Sequence, residues 1–422
     1  MQYSKIRKNI TFIKFEKLVI VSVLIGFLSA LLAVSLKTIT EHYETILFAK
    51  TVQSKVFIFI FPIFGFSVIY FLRQYLFKKK ENKGITEIFE STKSRNKNLP
   101  LYKIPSHFIN GLLTVAFGGS TGVEVSTVVA SAAIASSAQQ KENLFAKYKT
   151  ELICAGVAAG ITALFCSPIA GILFAYEVIS KKINKIFLIT CGIAVVIAFA
   201  FIHILDEEPL FAVTITDWHY RAIPYFILLG IFCGINGVYL TRCTIFIKSK
   251  FAKIRVHYHK IIVGAAILSI AILFLPQLYG DGYHAIHDIF ADSDHSFSTT
   301  IALTILAVLI LKPIVTSVTL ASGGDGGVFA PSLFLGAFLG FLMATFLNTF
   351  LHANVIPVNF MVIGMAAMLS ASIHAPFTAL FVACGMTGNY TLFFPILAVC
   401  LVSKVTAKMI YPFTVYTYAA AK

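Results

Sequence analysis

The strongest constraint in this sequence is a series of long apolar runs, each close to the roughly 20 residues a helix needs to cross a bilayer. Clear examples cover residues 18–36, 56–77, 186–205, 222–240, 261–278 and 299–311. Only 13% of the 422 residues are charged and 58% are hydrophobic, about half the charge density of a water-soluble domain. A soluble globular, disordered or collagen-like chain is excluded, and the expected fold class is an all-α polytopic membrane protein. The formal charge of +15 invites a nucleic-acid reading. However, its cations lie in short clusters between apolar runs, as cytoplasmic loops do under the positive-inside rule. No nucleic-acid partner is expected.

The basic stretches 78–103, 181–185 and 242–260 are placed in the cytoplasm, and the acidic stretches 206–217 and 281–294 outside. Five cations among residues 5–17 precede the first run. The run is long, lacks a small-x-small cleavage site and is soon followed by another span, so it reads as a retained helix with a cytoplasmic N-terminus. Seven cysteines without a C-x-x-C pair read as small buried hydrophobes. Eleven residues follow Tyr411, from which function is expected to lie within the membrane region.

The chain also repeats itself. Residues 156–178 (GVAAGITALFCSPIAGILFAYEV) align without gaps to 364–386 (GMAAMLSASIHAPFTALFVACGM), with six of 23 pairs identical, Pro168 and Pro376 among them. Residues 122–128 (GVEVSTV) align to 327–333 (GVFAPSL) at nearly the same spacing. The expected organisation is an N-terminal segment 1–14, a first membrane repeat 15–205, a connecting external loop 206–221, a second repeat 222–415 and a tail 416–422. Such repeats mark transporter folds with a site at the repeat interface; the alignment alone leaves parallel and inverted arrangements open.

Each repeat carries a glycine-rich break in apolar sequence, GGSTGVEVS (118–126) and SGGDGGVFAPS (322–332). Broken backbone at membrane depth survives only inside protein or along a watery cavity. The helix that restarts after each break aims free N–H groups and its positive dipole end into that cavity, which suits an anion. NKGITEIFE (82–90) is a third such start. Close packing explains one isolated glycine pair better, but matched breaks in both halves favour a site.

Glu124 is the only acid between Glu90 and Glu142 and lies in the first break. A carboxylate there would compete with an anion for the helix N-termini, and protonation would free the place, which is gate chemistry. Helix capping is the plainer role. Asp325, the one acid after residue 297, serves either the turn or the pathway. Lys312 reads as a structural charge, snorkelling or paired with a carbonyl.

GVFAP (327–331) resembles a motif of the CLC family of chloride channels and chloride/proton antiporters, and GGSTGVEVS resembles the family's segment with its gating glutamate. KPIVTSVTLASGGDGG (312–327), SPIAGILFAYE (167–177), LYGDGYHAI (278–286), MTGNY (386–390) and the C-terminal TVYTY extend the match in order. The resemblance implies inverted repeats with broken helices, a homodimer with one pore per subunit, chloride as the ion, no cofactor, and a multi-pass protein of the bacterial inner membrane. It implies Glu124 as gate. It also implies anion contacts from Gly122, Val123, Val125, Gly327, Val328, Phe329 and the Tyr416 hydroxyl, while Lys83 stands where a serine usually coordinates the anion. The lysine would either strengthen anion attraction or add field at the cytoplasmic mouth.

Val123, Val125 and Ser126 depart from the family's pattern around the glutamate. Val178 follows Glu177 where proton-coupled members carry a second glutamate, so the inner proton path through Glu124, Glu177 and Val178 is in question. The reading favours passive chloride conduction, with antiport as its alternative and fluoride selectivity ranked below. A G-x-S-x-G match at 118–122 raises an intramembrane serine hydrolase, but the elbow needs a preceding strand and an oriented histidine. A metal site at Asp281, His284, His287 and Asp288 is outweighed by a hydrated loop and helix start.

Overall fold

The computed structural model describes residues 2–77, 82–94, 97–141, 147–211, 213–291 and 298–421. The basic stretch 78–103 and the acidic stretch 281–294 therefore lie partly outside the described residues. The first half contains α1 (Gln2–Gln53), α2 (Val56–Phe71), α3 (Ile85–Lys93), α4 (Lys103–Ala116), α5 (Glu124–Lys141), α6 (Lys149–Phe165), α7 (Pro168–Phe174) and α8 (Lys185–Ile204). The second contains α9 (Ile223–Ala252), α10 (His257–Phe274), α11 (Tyr283–Ala291), α12 (Thr299–Ala321), α13 (Phe329–Leu351), α14 (Pro357–Ile373), α15 (Pro376–Thr387), α16 (Phe393–Ile410) and α17 (Val415–Ala421). Among the described residues, eight helices are long and apolar enough to cross a bilayer.

The repeat is visible helix by helix. α6 and α14 each end in a left-handed residue, Cys166 (φ 50°) and His374 (φ 57°), and the next helices each open on a proline, Pro168 and Pro376. Proline suits a first turn because its missing N–H has no partner there. Upstream, α4 and α12 end near Gly118 (φ 88°) and Gly323 (φ 109°), backbone angles that favour glycine. After each break a helix restarts, at Glu124 and at Phe329. The breaks meet: Gly122 and Gly327 form an antiparallel bridge. Thr121 Oγ1 donates to the Gly327 carbonyl (2.7 Å) and accepts from the Gly327 N–H (2.9 Å). The two halves are inverted repeats whose broken helices face one another.

The most buried helices surround this junction. Residues 152–165 of α6 and 359–373 of α14 are all buried, whereas α2 and α10 leave much of their apolar surface exposed, as lipid-facing helices do. α13 and α14 approach closely through Gly336, Gly340 and Gly364, where a Cβ would run into the facing backbone. Small residues make that approach possible where lipid removes any hydrophobic advantage for helix contact. Five of the seven free cysteines are buried, consistent with their packing role.

Candidate functional site: a carboxylate at the meeting of helix starts

Glu124, the first residue of α5, is 2% exposed. Its carboxylate folds back over Gly122, where a Cβ would collide with both carboxylate oxygens and with Ala330. Oε1 accepts a 2.6 Å hydrogen bond from the Tyr283 hydroxyl. The carboxylate also faces the backbone N–H groups of Ala330 and of Glu124 itself, while its second oxygen makes no hydrogen bond of normal length. α13 opens at Phe329 without a side-chain cap, so its first N–H groups are those a charge would seek. The carboxylate thus lies against the start of α13.

Val328 and Phe329 are buried, and Phe165 stacks on Phe329 at 5.1 Å between centroids. The Tyr416 hydroxyl comes from α17, is buried without a hydrogen-bond partner of standard geometry among the described residues, and faces the Val328 N–H. It lies 3.3 Å from where a Cβ on Gly327 would stand. Val125 packs over Gly327, and Gly84, before α3, reaches within 3.5 Å of Val125 measured from its own would-be Cβ. The starts of α3, α5 and α13 and the Tyr416 hydroxyl thus share one buried place. Lys83 differs: its backbone joins this approach, but its side chain is 62% exposed and lies 4.0 Å from Glu90.

Cavities flank the junction on both sides. On the side of the acidic loops, a vestibule of about 620 Å³ is lined by Glu41, Glu44, Glu207, Asp281, Tyr283 and His284, among others. A narrow neck bordered by Tyr283, Val123 and Glu124 adjoins it. On the side of the basic loops, a cavity of about 1060 Å³ reaches Tyr416 and is lined by Lys181, Lys182, Lys404 and Lys408 as well as Glu177 and Val178. One cavity is thus rich in cations and the other rich in carboxylates.

Glu177 is engaged elsewhere. Its Oε2 accepts from the Thr378 N–H and hydroxyl, both at 2.7 Å, so it caps α15 from the other repeat. Glu177→Ala is expected to remove about 1–2 kcal/mol and lower the thermal unfolding midpoint in detergent by a few degrees, with Gln recovering part of it. An unchanged midpoint would contradict the capping role. Val178 is buried beside it.

Several charges hold the frame. Asp325 Oδ1 pairs with Arg73 at 2.8 Å, Oδ2 accepts from Asn82, and the Asp325 N–H bonds Thr114 Oγ1 at 2.9 Å. The aspartate therefore braces the second break. Lys312 is fully buried, donating to the Gly280 carbonyl at 3.3 Å and lying 4.5 Å from the centre of the Phe334 ring; of its two expected roles, carbonyl pairing is the one present. Asp281 accepts from the Tyr283 N–H at 2.8 Å, and His284 Nε2 shares a 3.0 Å hydrogen bond with Thr45. Ser120 of the G-x-S-x-G match follows a helix, is fully buried, and its hydroxyl has no hydrogen-bond partner.

Sequence reasoning passed over Tyr283, although GYHAI was in view, because its bond to Glu124 spans 159 residues. It also missed the acids of the outer vestibule. Asp281 was in view only as a metal ligand and Glu207 only as a topology signal, while Glu41 and Glu44 lie on α1.

The model of the voltage gated chloride channel family matches residues 64–408. The chain belongs to this family. Among curated relatives, the voltage-gated ClC-type chloride channel ClcB of Citrobacter koseri is 27% identical over 316 residues, covering 74% of each protein. The ClcB of Salmonella typhimurium matches at the same identity and coverage. Among solved structures, a slow cyanobacterial Cl⁻/H⁺ antiporter superposes with a TM-score of 0.81 at 21% identity, over 96% of this chain and 97% of that one. A CLC-type fluoride/proton antiporter gives 0.79 at 24%, over 95% and 97%. These likenesses establish the fold of this CLC-family membrane protein; its relatives are channels and transporters.

Proposed function

We propose that this CLC protein moves chloride passively between the two vestibules, with Glu124 as the proton-controlled gate at their junction. The observation that carries the reading is the Glu124 carboxylate lying against the uncapped start of α13, beside the Tyr416 hydroxyl. Ionised, it fills the anion's place and satisfies the local positive potential. Protonated, it loses that attraction, and chloride takes up the N–H groups of Val328 and Phe329 with the Tyr416 hydroxyl. Gly122, Val123, Val125 and Gly327 shape the narrow walls, with no side chain at either glycine to fill the space. Lys83 acts from the mouth as a screened field, given its exposure.

The loops carrying the lysines are assigned to the cytoplasm and the acidic vestibule to the outside, which orients the protein in an inner membrane with its N-terminus inside. We infer a homodimer joined partly through α7 and α15, whose repeat-equivalent residues Ile169 and Phe377 are 47% and 45% exposed. The antiport reading keeps one observation in its favour: Glu41, Asp281 and Tyr283 line the neck leading to Glu124 and offer the outer half of a proton path.

Simultaneous chloride and proton flux in liposomes tests the proposal, with passive chloride movement expected and stoichiometric proton exchange refuting it. Tyr283→Phe probes the gate separately. It removes one hydrogen bond to the charged form of Glu124, a contact of about 1.5 kcal/mol or more, and should raise chloride flux at neutral pH by up to roughly tenfold. A flux equal to that of the parent protein would mean the tyrosine does not hold the gate shut.

A further inference from the structure

A third cavity, of about 470 Å³, lies apart from the pathway, between the end of α2, the α9–α10 junction and the end of α12. Four basic residues face into it, Arg73, Lys248, His257 and Lys260, and no carboxylate lines it. Arg73 is paired with Asp325 behind it, whose charge also reaches Lys248. The side chains of Lys248 and Lys260 make no ion pair or hydrogen bond among the described residues. Ser322, also on the wall, is 5% exposed and its hydroxyl has no hydrogen-bond partner; Arg73 Nε is likewise unpartnered. Lysines that merely set topology need only lie in the loop. Here cations from three separate helices converge on one concavity.

We propose that this cavity binds the phosphate group of a phosphate-bearing anion. Several cations around one concavity, with the unpartnered Arg73 Nε among their donors, match the multiple acceptor oxygens of a phosphate, which forms charge-assisted hydrogen bonds with them. The volume exceeds what a bare halide would fill. Tyr70, on the same wall, is 37% exposed, and the neighbouring α2 and α10 expose Phe71 and Ile262, so the mouth opens beside the lipid-facing surface. Both an anionic phospholipid headgroup and a soluble phosphate carry the required chemistry. The Arg73–Asp325 pair connects the cavity to the second break, two residues before Gly327. A phosphate drawing on Arg73 weakens the brace on the anion site and thereby alters chloride flux.

The test uses the purified full-length protein in nanodiscs of phosphatidylcholine, with or without phosphatidylglycerol. Bound lipid is read by native mass spectrometry, and inorganic phosphate is titrated in the neutral discs. Lys248→Gln and Lys260→Gln should each weaken binding by roughly fivefold, and together by about 25-fold. Both sites are on the cavity rim and outside the chloride pathway. Binding confined to phosphatidylglycerol identifies a lipid headgroup, and binding of inorganic phosphate in neutral discs identifies a soluble anion. Equal binding of both probes by the parent and the double variant would overturn the site. In liposomes, the bound probe should change parent chloride flux at least about twofold and leave the double variant unaffected. Flux indifferent to the probe in the parent would remove the link to the break.

Discussion

Glu124→Gln is expected to abolish most of the pH dependence of chloride flux. In the parent protein, flux into liposomes should climb as pH falls, because protons remove the charge with which Glu124 holds the anion's place. One titrating carboxylate changes the open fraction by at most about tenfold per pH unit. Between pH 7.5 and 4.5 the parent should rise by about threefold or more, and the variant by clearly less than that, under about twofold. Glutamine preserves the size of the side chain and can still accept from Tyr283, so the change isolates charge from shape. Glu124→Ala goes further by vacating the space, and should be at least as fast as Gln at every pH. Other groups titrate nearby: Glu41, Glu44, Glu207, Asp281 and His284 line the outer vestibule. If they carried the pH response, Glu124→Gln would retain it, and that outcome would end the gate assignment.

The same competition predicts an effect of chloride itself. Chloride binds the state in which Glu124 is protonated and withdrawn, so by linkage it favours protonation. Raising chloride should move the pH midpoint of flux upward, by at most about one unit per tenfold change in concentration. A midpoint independent of chloride would mean that the carboxylate and the ion do not share one place.

How far the site could be read without coordinates depended on the range of each interaction. The breaks, the restarting helices and the paired prolines are local signals, and they recur at Gly118 and Gly323, Glu124 and Phe329, Pro168 and Pro376. Acid scarcity drew attention to Glu124 before any distance was known, because a lone carboxylate at membrane depth needs a reason. What stayed hidden were partners supplied from far along the chain. Tyr283 reaches Glu124 across 159 residues, Thr378 reaches Glu177 across 201, and Arg73 reaches Asp325 across 252. No periodicity encodes such pairings. Each requires the inverted packing of the halves to exist first. Lys83 illustrates the converse: its position beside Gly84 was legible, but the direction of a long flexible side chain was not.

Proton coupling is where chain identity and geometry bear on each other most directly. A stoichiometric antiporter needs a titratable group that takes protons from the inner solution and passes them toward the gate. On the basic side that role would fall to Glu177 or to its neighbour, but the neighbour is Val178. Glu177 is committed to the start of α15 through two 2.7 Å hydrogen bonds. A carboxylate holding two such bonds is fixed in place, and swinging it toward the gate would uncap the helix of the opposite repeat. A group so occupied is a poor relay. Glu41, Asp281 and Tyr283 line the outer approach to Glu124, but a carrier on the inner side would be needed as well. With an outward chloride gradient imposed on liposomes, proton movement should not exceed that of protein-free vesicles, while chloride flux proceeds. If protons instead move uphill in fixed ratio to chloride, passive conduction is wrong. Glu177→Gln then decides the route: loss of proton movement with chloride flux retained would make Glu177 the relay despite its cap. Persistence of coupling would place the inner proton carrier at another vestibule group, with His374 on the same wall as the first to substitute.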